Sequence, residues 1–189
     1  LPKIDDAVLV HLAQSRNTST FYDHDEVGLC CSLAERKWSH VVYASSSVVY
    51  GDKEQHLHLA EEAVPPFNAY SKMKIECEKV FSSVGGTCLR FSNLYGPNMS
   101  SQSVIADILR QIPGEGSLKI MDSTPVRDFL WIDDAVDCIA VACSAKTAGV
   151  FNAGSGTTIA VGDLASLAME LAGEKKRTIA TTCEPSYVS

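Results

Sequence analysis

Three short apolar runs recur along the chain: AVLVHLA at Ala7–Ala13, HVVYA at His40–Ala44 and TCLRFS at Thr87–Ser92. Each is too short for a buried helix and lacks the alternation of a half-exposed strand, so each reads as a strand covered on both faces. Between them lie two stretches of helical period. One is Val27–Lys37, with Leu29, Leu33 and Ala34 on one face; the other is Asn68–Ser82, which Gly85 and Gly86 stop. Strand alternating with helix predicts an α/β chain built on a parallel sheet with helices on both faces. Such sheets bind ligands beyond the carboxyl ends of their strands. Here those ends are His11–Ala13, Ser45–Ser47 and Ser92–Tyr95.

After Pro97 the pattern changes. A helix is expected at Ser103–Gln111, followed by short strands at Leu118–Met121 and Phe129–Ile132. The acidic pair Asp133 and Asp134 opens a further helix to Ala142, Asp134 being expected as a cap. A strand at Gly149–Asn152, a turn at Gly154 and Gly156, a helix at Val161–Ala172 and a last strand at Thr178–Thr182 complete the reading. The expected organisation places residues 1–97 in a Rossmann-like domain. Residues 98–189 form mostly a small α+β substrate lobe, with segments near 133–156 returning to the first domain.

Composition narrows the partners. A net charge of -7 and a pI of about 5.2 supply no basic face for nucleic acid. No apolar run approaches the ~20 residues that span a bilayer, and the start LPKIDDAVLV lacks a secretory leader pattern. A cytoplasmic protein without membrane partners is the expectation. The seven cysteines are odd in number and form no Cys-x-x-Cys pair, so they read as reduced, largely buried thiols, and no metal site is expected. His56 and His58 in the polar loop Gly51–Pro66 have no evident third ligand and are expected in solvent; Glu61 and Glu62 share that loop. Trp38 and Trp131 read as packing residues. Met73, Val80 and Phe81 suit either a helical dimer interface or the chain's own core.

Tyr70 and Lys74 carry the chemistry. Four apart on a helix, they share one face. A tyrosine has an ordinary pKa near ~10, and a close ammonium favours its phenolate. Tyr70 then suits a general base that removes a proton from a substrate hydroxyl, and Lys74 has donors to spare for a ligand's hydroxyls. Ser46, just past a buried strand, is placed to orient a substrate oxygen.

Several segments around these residues resemble one family, the extended short-chain dehydrogenases/reductases that act as sugar-nucleotide epimerases and dehydratases. Ala44-Ser45-Ser46-Ser47-Val48-Val49-Tyr50-Gly51 resembles the family's S-S/T-x-x-V-Y-G, and Pro66 to Lys74 its P-x-x-x-Y-x-x-x-K helix. Leu89 to Pro97 resembles L-R-x-x-N-x-Y-G-P, and Val126 to Asp134 resembles x-R-D-F-x-x-V-x-D. Phe151 to Gly154 resembles x-N-x-G, and His11-Leu12-Ala13 the H-x-A that ends the fourth strand. The order of these segments is that of the family.

The resemblance implies Ser46, Tyr70 and Lys74 as catalytic residues. It implies Leu12, Ala13, Ala44 and Ser92, with Tyr70 and Lys74, as the lining of an NAD site, NADP being the alternative. Ser46, Asn93 and Arg127 would bind the nucleotide sugar, Arg127 through a guanidinium suited to phosphate or else as an ion-pair partner of Asp128. A homodimer is implied as well. The family's Gly-x-x-Gly-x-x-Gly does not occur in this sequence, and Gln14–Glu26 is shorter than its counterpart, so the chain is expected to be part of a longer protein. Ser47 and Val48 follow Ser46 where the family's dehydratases place acidic residues. That turns the expected reaction toward a C4 epimerase working through a keto-sugar intermediate. A 4-keto sugar-nucleotide reductase using NADPH is the runner-up, ahead of a dehydratase or a non-catalytic relative.

Overall fold

The computed structural model describes residues 6–13, 24–51, 58–62 and 65–182. The stretch 14–23, His56 and Cys183 lie outside the described residues. The chain divides into two units, Leu1–Ser92 with Asp133–Gly154, and Asn93–Ile132 with Ser155–Ser189.

In the first unit, β1 (Val8–His11), β2 (His40–Ser46), β3 (Thr87–Phe91) and β7 (Gly149–Ala153) form a parallel four-stranded sheet in the order β1-β2-β3-β7. This is the α/β parallel architecture that the apolar runs imply. Register aligns Tyr43 with Cys88 and Cys88 with Val150, and one step toward the carboxyl ends Ser45 with Arg90 and Arg90 with Asn152. Helices α1 (His24–Ala34) and α2 (Ala69–Ser83) pack over Val41, Tyr43 and Cys88, burying Cys30, Met73, Cys77 and Phe81 completely. On α1 the inward face is Val27, Cys30, Leu33 and Ala34. The expected Leu29 instead stays 45% exposed, because the helical spacing that turns Cys30 and Leu33 inward turns Leu29 away. Met73 and Phe81, which suited a dimer interface or a core, belong to this core, with Val80 packed against it. Trp38 also packs here and donates to Leu33 O at 2.8 Å.

Helix α2 is bounded by its own sequence. Asn68 accepts from Ser71 N at 2.7 Å while Ser71 Oγ accepts from Asn68 N at 3.1 Å, a reciprocal cap. Gly85, at φ +74, takes the left-handed turn that only glycine adopts freely. Its amide and that of Gly86 then return to Ser82 O and Phe81 O. Both helix ends next to the Tyr70 segment are thereby fixed locally.

The second unit holds a sheet ordered β4-β6-β8 (Asn93–Tyr95, Val126–Trp131, Thr158–Ala160) and a pair β5-β9 (Leu118–Ile120, Ile179–Thr181). Helices α3 (Val104–Arg110) and α5 (Val161–Leu171) supply Ile108, Val161, Ala165 and Met169 to a core with Leu118 and Ile120. Asn93–Tyr95, expected within the first domain, pairs instead in parallel with β6. Trp131 packs its ring edge-on to Tyr95 at 5.2 Å. Gly96 is required by space: a Cβ there would lie 2.5 Å from Ile132 Cγ2. Helix α4 (Ile132–Ala145) carries Asp133 and Asp134 in its first turn, as the acidic pair implies, with Asp134 inside the helix rather than at its cap.

Cys30, Cys77 and Cys88 are buried, Cys138 and Cys143 half-buried and Cys31 exposed, all of them free. Burial pushes the Cys88 thiol up to about 12. A thiol reagent at pH 8 is therefore expected to modify Cys31 first and Cys138 and Cys143 more slowly. Cys30, Cys77 and Cys88 should react only on unfolding. Peptide mapping after timed alkylation checks this order, and early labelling of Cys77 or Cys88 would contradict the described core.

Candidate active site

Ser46 ends β2, where the strand gives way to a 3-10 turn at Ser47–Tyr50. Its hydroxyl accepts from Val48 N at 3.3 Å, so the side chain that caps the turn is also held at the sheet's carboxyl edge. The turn buries Val49. No acidic side chain stands between Ser46 and Tyr50.

Tyr70 lies in the first turn of α2 and Lys74 one turn later. Lys74 is only 3% exposed. Its Nζ donates to Ala44 O at 2.9 Å and lies 4.9 Å from the centroid of the Tyr43 ring and 5.8 Å from that of Tyr70. One ammonium thus touches the strand that carries Ser46 and faces the ring of Tyr70. Burial lowers the Lys74 pKa from its ordinary value, against the attraction of Cys77, Glu26, Cys30 and Glu78. Of its three donors, Ala44 O occupies one.

Leu12 and Ala13, at the carboxyl end of β1, are exposed, and Ala44 and Ser92 are half-buried. Ser92 N donates to Ala153 O at 3.0 Å. These positions stand at or next to the carboxyl ends of β1, β2 and β3. Asn93 and Arg127 belong to the second unit. Asn93 Nδ2 donates to Asp128 O at 3.1 Å and Arg127 NH1 to Val126 O at 3.1 Å. The Asp128 carboxylate accepts from Ser155 N and Gly156 N, each at 2.9 Å, and so latches the turn after β7. A shallow concavity of about 420 Å³ lined by Gly96, Pro97, Asn98, Met99, Leu109 and Arg110 lies in this unit as well. It holds none of Ser46, Tyr70 or Lys74.

Two arrangements had no signal in sequence spacing. Behind Lys74, the donor atoms of His11, Glu26 and Cys30 lie within 4.8 Å of one another, with His11 Nε2 3.7 Å from Cys30 Sγ and 3.6 Å from Glu26 Oε1. Burial lowers the His11 pKa, opposed by Glu26. Lys74, which adds to that lowering, would likewise repel a metal cation. The second is a buried pair, Glu78 with Arg90, 2.7 Å apart. His58, expected in solvent, instead stacks on Tyr50 with centroids 4.4 Å apart and bonds Glu62 at 2.7 Å. The Tyr50 ring offers it an apolar face that solvent does not.

A parallel sheet whose carboxyl edge carries a serine, beside a capped helix presenting tyrosine and lysine, defines a Rossmann-like enzyme fold. Residues 13–154 match the model of the NAD dependent epimerase/dehydratase family, and the chain belongs to that family. It is 30% identical over 146 residues to the ADP-L-glycero-D-manno-heptose-6-epimerase of Brachyspira hyodysenteriae, covering 68% of this chain and 45% of that protein. The chain spans about half the length of the curated relatives it matches. Among solved structures, UDP-N-acetylglucosamine 4-epimerase from Bacillus cereus superposes with a TM-score of 0.81 at 26% identity, over 95% of this chain and 68% of that one. RMD from Pseudomonas aeruginosa, complexed with NADPH, gives a TM-score of 0.83 at 24% identity, over 98% and 71%; that likeness bears on the fold alone.

The Asp128 latch makes a direct prediction. Asp128→Ala leaves two backbone N–H groups without their carboxylate and is expected to destabilise the protein by about 1.5–3 kcal/mol. Asp128→Asn, which keeps one acceptor oxygen, should lose less. Urea denaturation of the three proteins measures the difference, and equal stability of all three would show that the latch carries no weight.

Proposed function

We propose that this chain carries the catalytic residues of a nucleotide-sugar epimerase acting at C4, with NAD as cofactor. The observation that supports it most is the shared position of Lys74, 5.8 Å from the Tyr70 ring centroid and bonded to Ala44 O beside Ser46. Leu12, Ala13, Ala44 and Ser92 would line the cofactor, and Lys74 would donate to its ribose hydroxyls. NAD, when bound, supplies a reversible hydride acceptor. The chain's own part is proton handling and orientation. Tyr70 Oη removes the proton of the sugar hydroxyl and returns it, its phenolate favoured by the adjacent ammonium. The Ser46 hydroxyl orients the same sugar oxygen. Asn93 and Arg127 are assigned to the nucleotide diphosphate, for which a guanidinium offers forked donors. The absence of an acidic side chain after Ser46 favours epimerisation over dehydration, since loss of a hydroxyl needs a proton donor.

The test uses the full-length protein. Wild type should interconvert UDP-glucose and UDP-galactose, or another pair of C4-epimeric nucleotide sugars, with no net change in reduced nicotinamide. Tyr70→Phe should lower kcat about 10²–10⁴-fold with little change in thermal stability. Full activity of Tyr70→Phe would remove Tyr70 from the chemistry. Stoichiometric oxidation of added NADPH would assign the reductase reaction instead. Inactivity on every nucleotide sugar together with failure to bind a dinucleotide would leave a non-catalytic relative.

A further inference from the structure

Glu78 stands one turn beyond Lys74 on α2, so Tyr70, Lys74 and Glu78 form one stripe along the helix. Glu78 is 4% and Arg90 8% exposed. The carboxylate accepts from Arg90 through both oxygens, at 2.9 Å from Nε and 2.7 Å from NH2. The same Oε1 accepts from Ser45 Oγ at 2.5 Å. The remaining face of the guanidinium is used too. Arg90 NH1 donates to Tyr50 OH at 2.8 Å and to Ala60 O at 3.3 Å, and the guanidinium carbon lies 4.9 Å from the Tyr50 ring centroid. Tyr50 OH in turn donates to Asn152 Oδ1 at 2.6 Å. Ser45, Arg90 and Asn152 are register neighbours on three adjacent strands.

A buried ion pair gains little stability over well-packed apolar residues, because desolvation consumes most of its attraction. What a bidentate pair adds is direction: two parallel bonds fix one distance and one angle. Here the two bonds run from the reactive helix to Arg90 on β3, and a third joins the same carboxylate to Ser45, the residue before Ser46 on β2. An apolar contact in the same place would let α2 slide by a fraction of a turn at small cost.

We propose that Glu78 and Arg90, with Ser45 and Tyr50, are positioning residues for the reaction at Tyr70. They set where α2 docks across β2 and β3, so that Tyr70 and Lys74 stand level with Ser46. None of the four touches the reacting atoms in this role. The inference rests on the reading of Ser46, Tyr70 and Lys74 as the reactive group.

The experiment compares Ser45→Ala, Ser45→Thr, the double variant Glu78→Met/Arg90→Met and Tyr70→Phe in the full-length protein, measuring kcat, KM and melting temperature. Ser45→Ala removes the 2.5 Å bond to Glu78 while leaving the ion pair intact. It is expected to lower kcat about 10-fold, a fraction of what a 1 Å misplacement costs, with KM within about twofold. Ser45→Thr restores the hydroxyl and should restore kcat. The double Met variant removes both charges and should lower kcat about 100-fold even where its melting temperature equals wild type. If that variant does not fold, the Ser45 pair decides. Wild-type kcat in Ser45→Ala, or no rescue by threonine, overturns the positioning role while Tyr70→Phe remains inactive. An active Tyr70→Phe would instead overturn the reading of the site itself.

Discussion

The bidentate pair between Glu78 and Arg90 ties α2 to β3 and is the firmest polar contact between helix and sheet on which the proposed reactive edge of the first unit would rest. It lies where one face of the sheet changes character. Toward the amino ends, Tyr43, Cys88 and Val150 align as an apolar rung against α1 and α2; one step further, Ser45, Arg90 and Asn152 align as a polar one. Helix α2 changes in step. Cys77 and Phe81 meet the apolar rung, while Glu78 meets the polar one and Lys74 bonds Ala44 O between them. Removing one partner of such a pair strands a buried charge, at a cost of about 3–5 kcal/mol. The two therefore act as one element, and neither is explained by packing alone.

The fold was legible because its signals are local and repeated. AVLVHLA, HVVYA and TCLRFS could hardly be anything but covered strands, and Asn68, Gly85 and Gly86 punctuate α2 through bonds to their own neighbours. What the sequence did not reveal has a common physical cause. The strand Asn93–Tyr95 is only three residues long and carries an asparagine and a tyrosine whose partners, Phe129 and Trp131, lie far along the chain. The strand Thr158–Ala160 likewise exists through its antiparallel pairing with Val126–Asp128. Neither has a pattern of its own to read. The inward face of α1 was misjudged for a related reason. Cys30, expected to be buried, was not assigned to that face, although in the core it behaves as a small apolar side chain.

The same division holds for the site. Tyr70 and Lys74 were visible because their spacing is a helical turn, and Ser46 because a family segment surrounds it. Glu78 lies at that spacing again, yet nothing in the sequence marks it without Arg90, twelve residues away on another element. His58 was expected in solvent because its stacking partner Tyr50 belongs to a 3-10 turn that adjoins the loop rather than to any regular element. Side chains that act through partners brought together by the sheet leave no spacing to recognise.

The buried charges also constrain one another. Among the described residues, the buried ionisable acids and strong bases are Glu26 and Glu78 against Lys74 and Arg90, two of each sign, so the interior of the first unit is charge-balanced as it stands. Arg90 shows how that balance is reached: burial works against its charge, but the bonds to Glu78 and Tyr50 outweigh burial and push its pKa up. Lys74 shows the opposite outcome. Its Nζ bonds Ala44 O, burial prevails, and its pKa falls. Glu78 locks the guanidinium in place, and both Glu78 and Glu26, the latter on α1, act on the ammonium through space. Lys74 thus has donors beyond the one given to Ala44 O and faces the Tyr70 ring one turn back on α2, which is the contact the proposed proton transfer at Tyr70 draws on.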